Sequence, residues 1–169
     1  MKIKGTVYKL EKIEDDVNCD YIISGKYKFQ SEDKSFLAKH IFEDIEPGIN
    51  DKITRGDFLV GGYNFGCGST REQALQALLA AGIKVIIAKS FAHTFYRNAF
   101  NNGFLLIECN TDYMETKDEI EIDLKNNFLR NINKQLGIKM VPIEPAILKI
   151  YYDGGIINHL KKNKGRYNL

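Results

Sequence analysis

The chain has 169 residues, 44% of them hydrophobic and 27% charged, which is enough to bury a core and predicts one globular domain over residues 1–169. Its net charge of +2 excludes the broad basic surface that non-specific nucleic-acid binding requires. No run approaches the roughly 18 apolar residues of a membrane span, and residues 1–6 lack the apolar core of a secretory signal, so a soluble cytoplasmic protein is expected, with neither membrane nor nucleic acid as partner.

Residues 5–10 and 21–23 are short β-like runs between polar turns, and residues 35–42 read as a helix that ends near Pro47 and Gly48. Phe58-Leu59-Val60 reads as a buried strand, residues 71–81 as a helix closed by Gly82, and residues 85–88 as the next strand. The pattern then repeats, with a helix over 90–101 stopped by Gly103 and a strand over 104–107. Strands and helices alternating through short connections predict parallel strands joined by right-handed crossovers. Such sheets collect ligands where strands run out into helix N-termini. Beyond Cys109, the alternation Ile120, Ile122, Leu124 and the pair Asn126-Asn127 predict a hairpin. A helical tail follows, broken at Gly154-Gly155 and ending in Lys161, Lys162 and Lys164, a solvated helix end that the helix dipole favours. The fold class is therefore α/β with a mainly parallel central sheet.

Cys19, Cys67 and Cys109 are an odd set without a C-x-x-C pair, which argues against a disulfide framework or a structural zinc site. One iron–sulfur cluster held through separate loops is the sharper reading of the three, and small buried apolar residues the plainer one.

The chemistry concentrates in Gly61-Gly62-Tyr63-Asn64-Phe65-Gly66-Cys67-Gly68-Ser69-Thr70-Arg71-Glu72, between the strand at 58–60 and its helix. Glycines this dense permit positive φ and close backbone approach to a ligand. The following helix directs unpaired N–H groups and the positive end of its dipole at the turn, so an anion is expected. The segment is neither G-x-x-x-x-G-K-[ST] nor G-x-G-x-x-G, and the planar fork of Arg71 suits a di- or tricarboxylate as well as a phosphate. Ser69-Thr70-Arg71-Glu72 is also an S-x-x-E capping box, with Thr70 and Gln73 in a second register of the same motif. If Thr70 caps, Ser69 is freed to face a ligand. Local chemistry leaves cap and function both open.

Residues 64–74, Asn64-Phe65-Gly66-Cys67-Gly68-Ser69-Thr70-Arg71-Glu72-Gln73-Ala74, closely resemble the N-F-G-x-G-S-S-R-E-x-A signature of the swivelling domain of the aconitase family. Asp15-Asp16-Val17-Asn18-Cys19-Asp20-Tyr21-Ile22-Ile23 is similar to that family's D-[DN]-[IV]-[DN]-T-D-x-I-[IL]. Ala88-Lys89-Ser90-Phe91-Ala92-His93-Thr94-Phe95-Tyr96-Arg97-Asn98 is similar to its A-x-S-F-A-R-I-F-Y-R-N, and Gly154-Gly155-Ile156-Ile157-Asn158 to its tail. The resemblance implies a single swivelling β/β/α domain and a hydro-lyase that shifts a hydroxyl between neighbouring carbons of a small carboxylic acid. It implies a [4Fe–4S] cluster carried by three cysteines of a partner large subunit, with no metal bound by this chain. It makes Ser69 the catalytic base, Arg71 and Thr70 ligands of a substrate carboxylate, and Asp20 a second-shell or site-edge carboxylate, whose alternative role is a turn-forming Asx residue. A serine hydroxyl is too weak an acid to serve near neutral pH unless the glycine-turn N–H groups, the helix N-terminus and Arg71 favour its alkoxide. Thr70 stands where the family usually has serine, Cys19 where it has threonine and His93 where it often has arginine. His93, His40 and His159 read as structural histidines.

The resemblance also implies that residues 25–30 form a mobile loop touching the variable arm of the substrate, with Tyr27 at an aromatic position and Phe29 where arginine serves carboxylate-ended arms. Phe29 would cover a branched alkyl group, a burial worth roughly 1.5–3 kcal/mol. The expected reaction is therefore interconversion of 2- and 3-isopropylmalate in leucine biosynthesis. Homoaconitate or a dimethylmalate-type acid is the alternative, because Lys26 and Lys28 flank Phe29. The rival from another class is a non-catalytic regulatory domain that binds an anion at the capped glycine turn.

Overall fold

In a computed structural model, which describes residues 2–31, 33–69 and 71–166, seven strands form one sheet. The chain opens with β1 (Lys2–Lys9), passes through the short helical segments α1 (Cys19–Ile22), α2 (Gly25–Lys28), α3 (Lys34–Lys39) and α4 (Ile49–Lys52), and enters β2 (Phe58–Val60). There follow α5 (Glu72–Ala80), β3 (Val85–Ala88), α6 (His93–Asn101) and β4 (Leu105–Glu108), the alternation that the periodicity predicts. A meander, β5 (Glu119–Asp123), β6 (Phe128–Asn131) and β7 (Leu136–Lys139), leads into the tail helices α7 (Pro145–Tyr152) and α8 (Ile156–Lys162).

Pairing divides the sheet into two halves. β1, β2, β3 and β4 are parallel, whereas β1-β5, β5-β6 and β6-β7 are antiparallel, so β1 joins the halves. The residues explain the division. β2 and β3 are buried along their whole length, as strands covered on both faces must be, while β6 alternates exposed and buried positions and keeps one face toward solvent. The parallel pairing of this half matches the expectation, and β2 runs out into the glycine turn beside the end of β3.

Residues 21–23 correct the β-like expectation, because Cys19–Ile22 is helical. The Asn18 side chain accepts from the Asp20 N–H at 2.8 Å and starts a turn that buries Ile22 without a strand. A short apolar run fits either structure, and the local cap decides. α6 begins at His93 because residue 91 still pairs in extended form with Phe65. Gly154 and Gly155, at φ +79° and +103°, separate α7 from α8 where the tail was expected to break. No helix among the described residues is long and apolar enough to cross a membrane.

Candidate active site

Past the end of β2, residues 61–67 run between two other segments. On one side, Gly62 N donates to Glu14 O (2.7 Å), Gly66 N to Val17 O (2.8 Å), and Cys19 N to Cys67 O (3.0 Å). On the other, Phe65 N donates to Ser90 O (3.0 Å) and Ala92 N to Phe65 O (2.9 Å). The turn is thus a continuation of the parallel sheet rather than a free loop. Asn64 holds a left-handed backbone (φ +55°), fixed by its own N–H to Ser90 Oγ (2.8 Å) and by its amide Nδ2 to Asp16 Oδ1 (2.7 Å). Gly66 and Gly68 have φ of +81° and +76°, and a Cβ at Gly68 would meet Asn18 Nδ2 at 2.5 Å. Bare backbone is needed at both positions for conformation and for space.

This frame delivers Ser69 to the surface, exposed, with no partner for its hydroxyl among the described residues. Thr70 lies outside the described residues. Arg71 is the N-cap of α5, with extended backbone and no side-chain cap, so Ser69 precedes the cap and the S-x-x-E box does not form. Glu72 instead accepts from Gln76 Nε2 at 2.8 Å, one helical turn on. Arg71 keeps a buried Nε with no hydrogen-bond partner among the described residues. Buried donors of this kind are rare, and an anion would satisfy one.

Asp20 lies beside the turn, because Asn18 bridges to Cys67. Its carboxylate is half exposed and accepts from Lys28 Nζ at 2.9 Å. Phe29 is 80% exposed at the end of α2, on the wall of an open cleft of about 620 Å³ that reaches Glu72 and Gln73 in the first turn of α5. The sequence-derived candidates Phe29, Asp20 and Arg71 therefore gather around one end of the sheet. Tyr27 turns inward and stacks on His40 (4.1 Å between centroids, 2° between planes). His159 is buried with its Nδ1 2.7 Å from Asp153 Oδ2, so it packs within the tail, and His93 is exposed at the start of α6. Sequence reasoning did not single out Asp16, Asn64 and Ser90 as a linked frame, nor the pairing of Lys28 with Asp20. The motif spacing holds the first three, but nothing in it shows that their side chains meet.

The cysteines do not fit an iron–sulfur cluster, whose ligands are thiolates. Cys19 is buried and donates to Gly66 O, and Cys67 donates to Asp16 O. Burial pushes the Cys109 thiol up to about 12, and burial followed by the Asp16 charge raises that of Cys67. Among the described residues there is no group of three or more His, Cys, Asp or Glu that could hold a metal ion.

Residues 26–112 match a family model described as the aconitase C-terminal domain. The 3-isopropylmalate dehydratase small subunit 2 of Archaeoglobus fulgidus is 41% identical over 163 residues, covering 96% of this chain and 97% of that protein. A methanogen homoaconitase small subunit from Methanocaldococcus jannaschii is 43% identical over 164 residues, covering 97% and 94%. The crystal structure of a 3-isopropylmalate dehydratase from the same organism superposes with a TM-score of 0.89 at 43% identity, covering 97% of this chain and 96% of that one.

Proposed function

The chain belongs to the aconitase C-terminal domain family, and on that premise we propose that it is the small subunit of a 3-isopropylmalate dehydratase, a hydro-lyase interconverting 2- and 3-isopropylmalate in leucine biosynthesis. Residues 1–169 act as one swivelling domain in the cytoplasm, and the partner is a large subunit. The observation that supports this most is Arg71, whose buried Nε, without a partner among the described residues, closely follows the exposed Ser69 at the head of α5.

In this reading the Ser69 oxygen removes the carbon-bound proton of the substrate and returns it in the reverse direction. Its alkoxide is favoured by the N–H groups of the glycine turn, by the N-terminus of α5 and by the Arg71 guanidinium. Arg71 grips a substrate carboxylate with two parallel hydrogen bonds, and Thr70 donates a third. Asp20 stands at the edge of the site, and Phe29 covers the alkyl arm. Lewis-acid assistance to the departing hydroxyl is left to a [4Fe–4S] cluster on the large subunit.

A homoaconitase small subunit is the second reading, supported by the methanogen relative and by Lys28 in the cleft wall. Co-expression with a cluster-binding large subunit, followed by assays on isopropylmalate, homoaconitate and dimethylmalate, separates these readings. Turnover of isopropylmalate above the others is expected. No turnover of any of them, with phosphate-dependent stabilisation of the chain alone, would favour the regulatory domain.

A further inference from the structure

Two facing segments meet at a pair of left-handed residues, Asp16 (φ +52°) and Asn64 (φ +55°). Aspartate and asparagine tolerate that backbone better than most side chains, but it is uncommon outside glycine and needs something to hold it. Asp16 N donates to Tyr63 O at 2.9 Å, Asn64 Nδ2 donates to Asp16 Oδ1 at 2.7 Å, and Cys67 Sγ donates to Asp16 O at 3.3 Å. From the opposite side, Ser90 Oγ accepts from Asn64 N at 2.8 Å. Asn64 is thus gripped by two segments at once, one at its backbone and one at its side chain.

This grip adds little to the stability of the fold. Asp16 and Asn64 are exposed and Ser90 is half-buried, so water can replace these hydrogen bonds at small net cost. Nor does the Asp16 charge help the neighbouring chemistry. Burial first, and the Asp16 charge second, raise the Cys67 thiol, and the same charge opposes an alkoxide two residues further on. What the Asp16 side chain supplies is an acceptor in a fixed place. The consequence falls on Ser69, which no hydrogen bond reaches among the described residues, so the turn before it and α5 after it set its place. Arg71, by contrast, is tied into α5, where Ala74 N donates to Arg71 O at 3.2 Å.

We propose that Asp16 and Ser90 are positioning residues for Ser69, acting through Asn64 to fix the left-handed turn from which the reactive hydroxyl is presented. The proposal rests on the dehydratase reading and deepens it by naming what holds the base in register with the carbon-bound proton. It differs from a merely structural role, in which breaking the link would lower the melting temperature and leave kcat as it was.

The test uses the complex reconstituted with the large subunit. It measures kcat, KM and the primary isotope effect on isopropylmalate carrying deuterium at the carbon that loses its proton. Glycine accepts a left-handed backbone, so Asp16→Gly and Asn64→Gly each remove one side of the link without forcing φ. Each should lower kcat about tenfold or more, toward the roughly 10²-fold that a displacement of about 1 Å costs. KM should stay within about twofold of wild type, because Arg71 remains in place. Ser90→Ala should behave alike. Asp16→Asn, which keeps the acceptor and loses the charge, should retain the wild-type kcat. Asp16→Gly/Asn64→Gly should be no slower than the slower single variant, since the two side chains form one link. The isotope effect in each slowed variant should stay at or rise above the wild-type value. A wild-type kcat in Asp16→Gly, an Asp16→Asn as slow as Asp16→Gly, losses that multiply in the double variant, or an isotope effect that falls toward one overturns the proposal. Should Asp16→Gly fail to assemble, Ser90→Ala and Asn64→Gly are read by the same kcat, KM and isotope criteria, with the same overturning results. A wild-type complex that turns over neither isopropylmalate nor homoaconitate overturns the dehydratase reading as well, whereas an active one with unchanged kcat in the variants overturns only the positioning.

Discussion

At Ser69 the hydroxyl and the cap have come apart. Because Arg71 occupies the N-cap of α5, removing the Ser69 hydroxyl takes nothing from the helix end. Ser69→Ala should therefore leave the melting temperature and assembly unchanged while lowering turnover about 10²–10⁴-fold, the usual contribution of positioned proton transfer. A drop in stability of about 0.5–2 kcal/mol with near-normal turnover would instead mean that the serine caps. Arg71→Lys should lower kcat/KM sharply, since an ammonium cannot reproduce a guanidinium fork. Unchanged kcat/KM would remove Arg71 from the site. Gly66 makes a different demand. It combines φ +81° with a Cβ position already filled by the Phe95 ring, so Gly66→Ala should destabilise by roughly 1–3 kcal/mol from backbone strain alone, with overpacking added. Denaturant unfolding measures this, and a wild-type midpoint would show that the turn can rearrange. These residues were visible in the sequence as a motif. Their place at a strand-to-helix turn was legible because glycines of positive φ cluster there, whereas the link from Asp16 through Asn64 to Ser90 joins three separate segments that no spacing brings together.

At the scale of elements, legibility followed length and local punctuation. β2, α5, β3, α6 and β4 were readable because each is bounded by glycine or polar turns and follows one period. α1 was not, because its apolar residues fit a strand equally well and only the Asn18 side chain settles the matter. The lysines at the end of α8 read as solvated and are exposed, and Lys162 Nζ in addition donates to Asp153 Oδ1 while Oδ2 of the same carboxylate meets His159. The Lys162 and His159 hydrogen bonds hold the Asp153 carboxyl below its ordinary 3.8. A lowered carboxyl contributes stability that is complete above the ordinary value and is lost as pH falls through the lower one. Protection of the α8 amides relative to the unstructured exchange rate should therefore fall as the medium is acidified below 3.8, and Asp153→Asn should remove that acid-side dependence. Identical acid profiles in the two proteins would show that the pair does not hold α8 to α7.

The whole molecule sets the last expectation. The antiparallel half of the sheet was only partly legible, since the alternation at Ile120 and Ile122 announced a hairpin but not that β5 would pair with β1 and extend the parallel half. That register depends on contacts far apart in sequence, which no local period encodes. On the proposed reading the site is likewise half of something: Ser69 is exposed beyond the end of β2, Arg71 follows it half-buried, and none of the cysteines is placed as a cluster ligand. Cys19 and Cys109 are buried, and the thiols of Cys67 and Cys109 are both raised, so metal would have to displace protons and break open the core to reach them. The isolated chain should therefore fold cooperatively yet take up no stoichiometric cluster when incubated with iron and sulfide, and it should turn over neither isopropylmalate nor homoaconitate. Iron counting and visible absorption measure the first, a coupled assay the second. Adding a cluster-loaded large subunit should restore activity without further iron, which locates the missing component on the partner. Cluster uptake by the chain alone through its three cysteines would reverse that division of labour, and it would require the strand ends at Cys67 and Cys109 to open in a way that amide exchange would register.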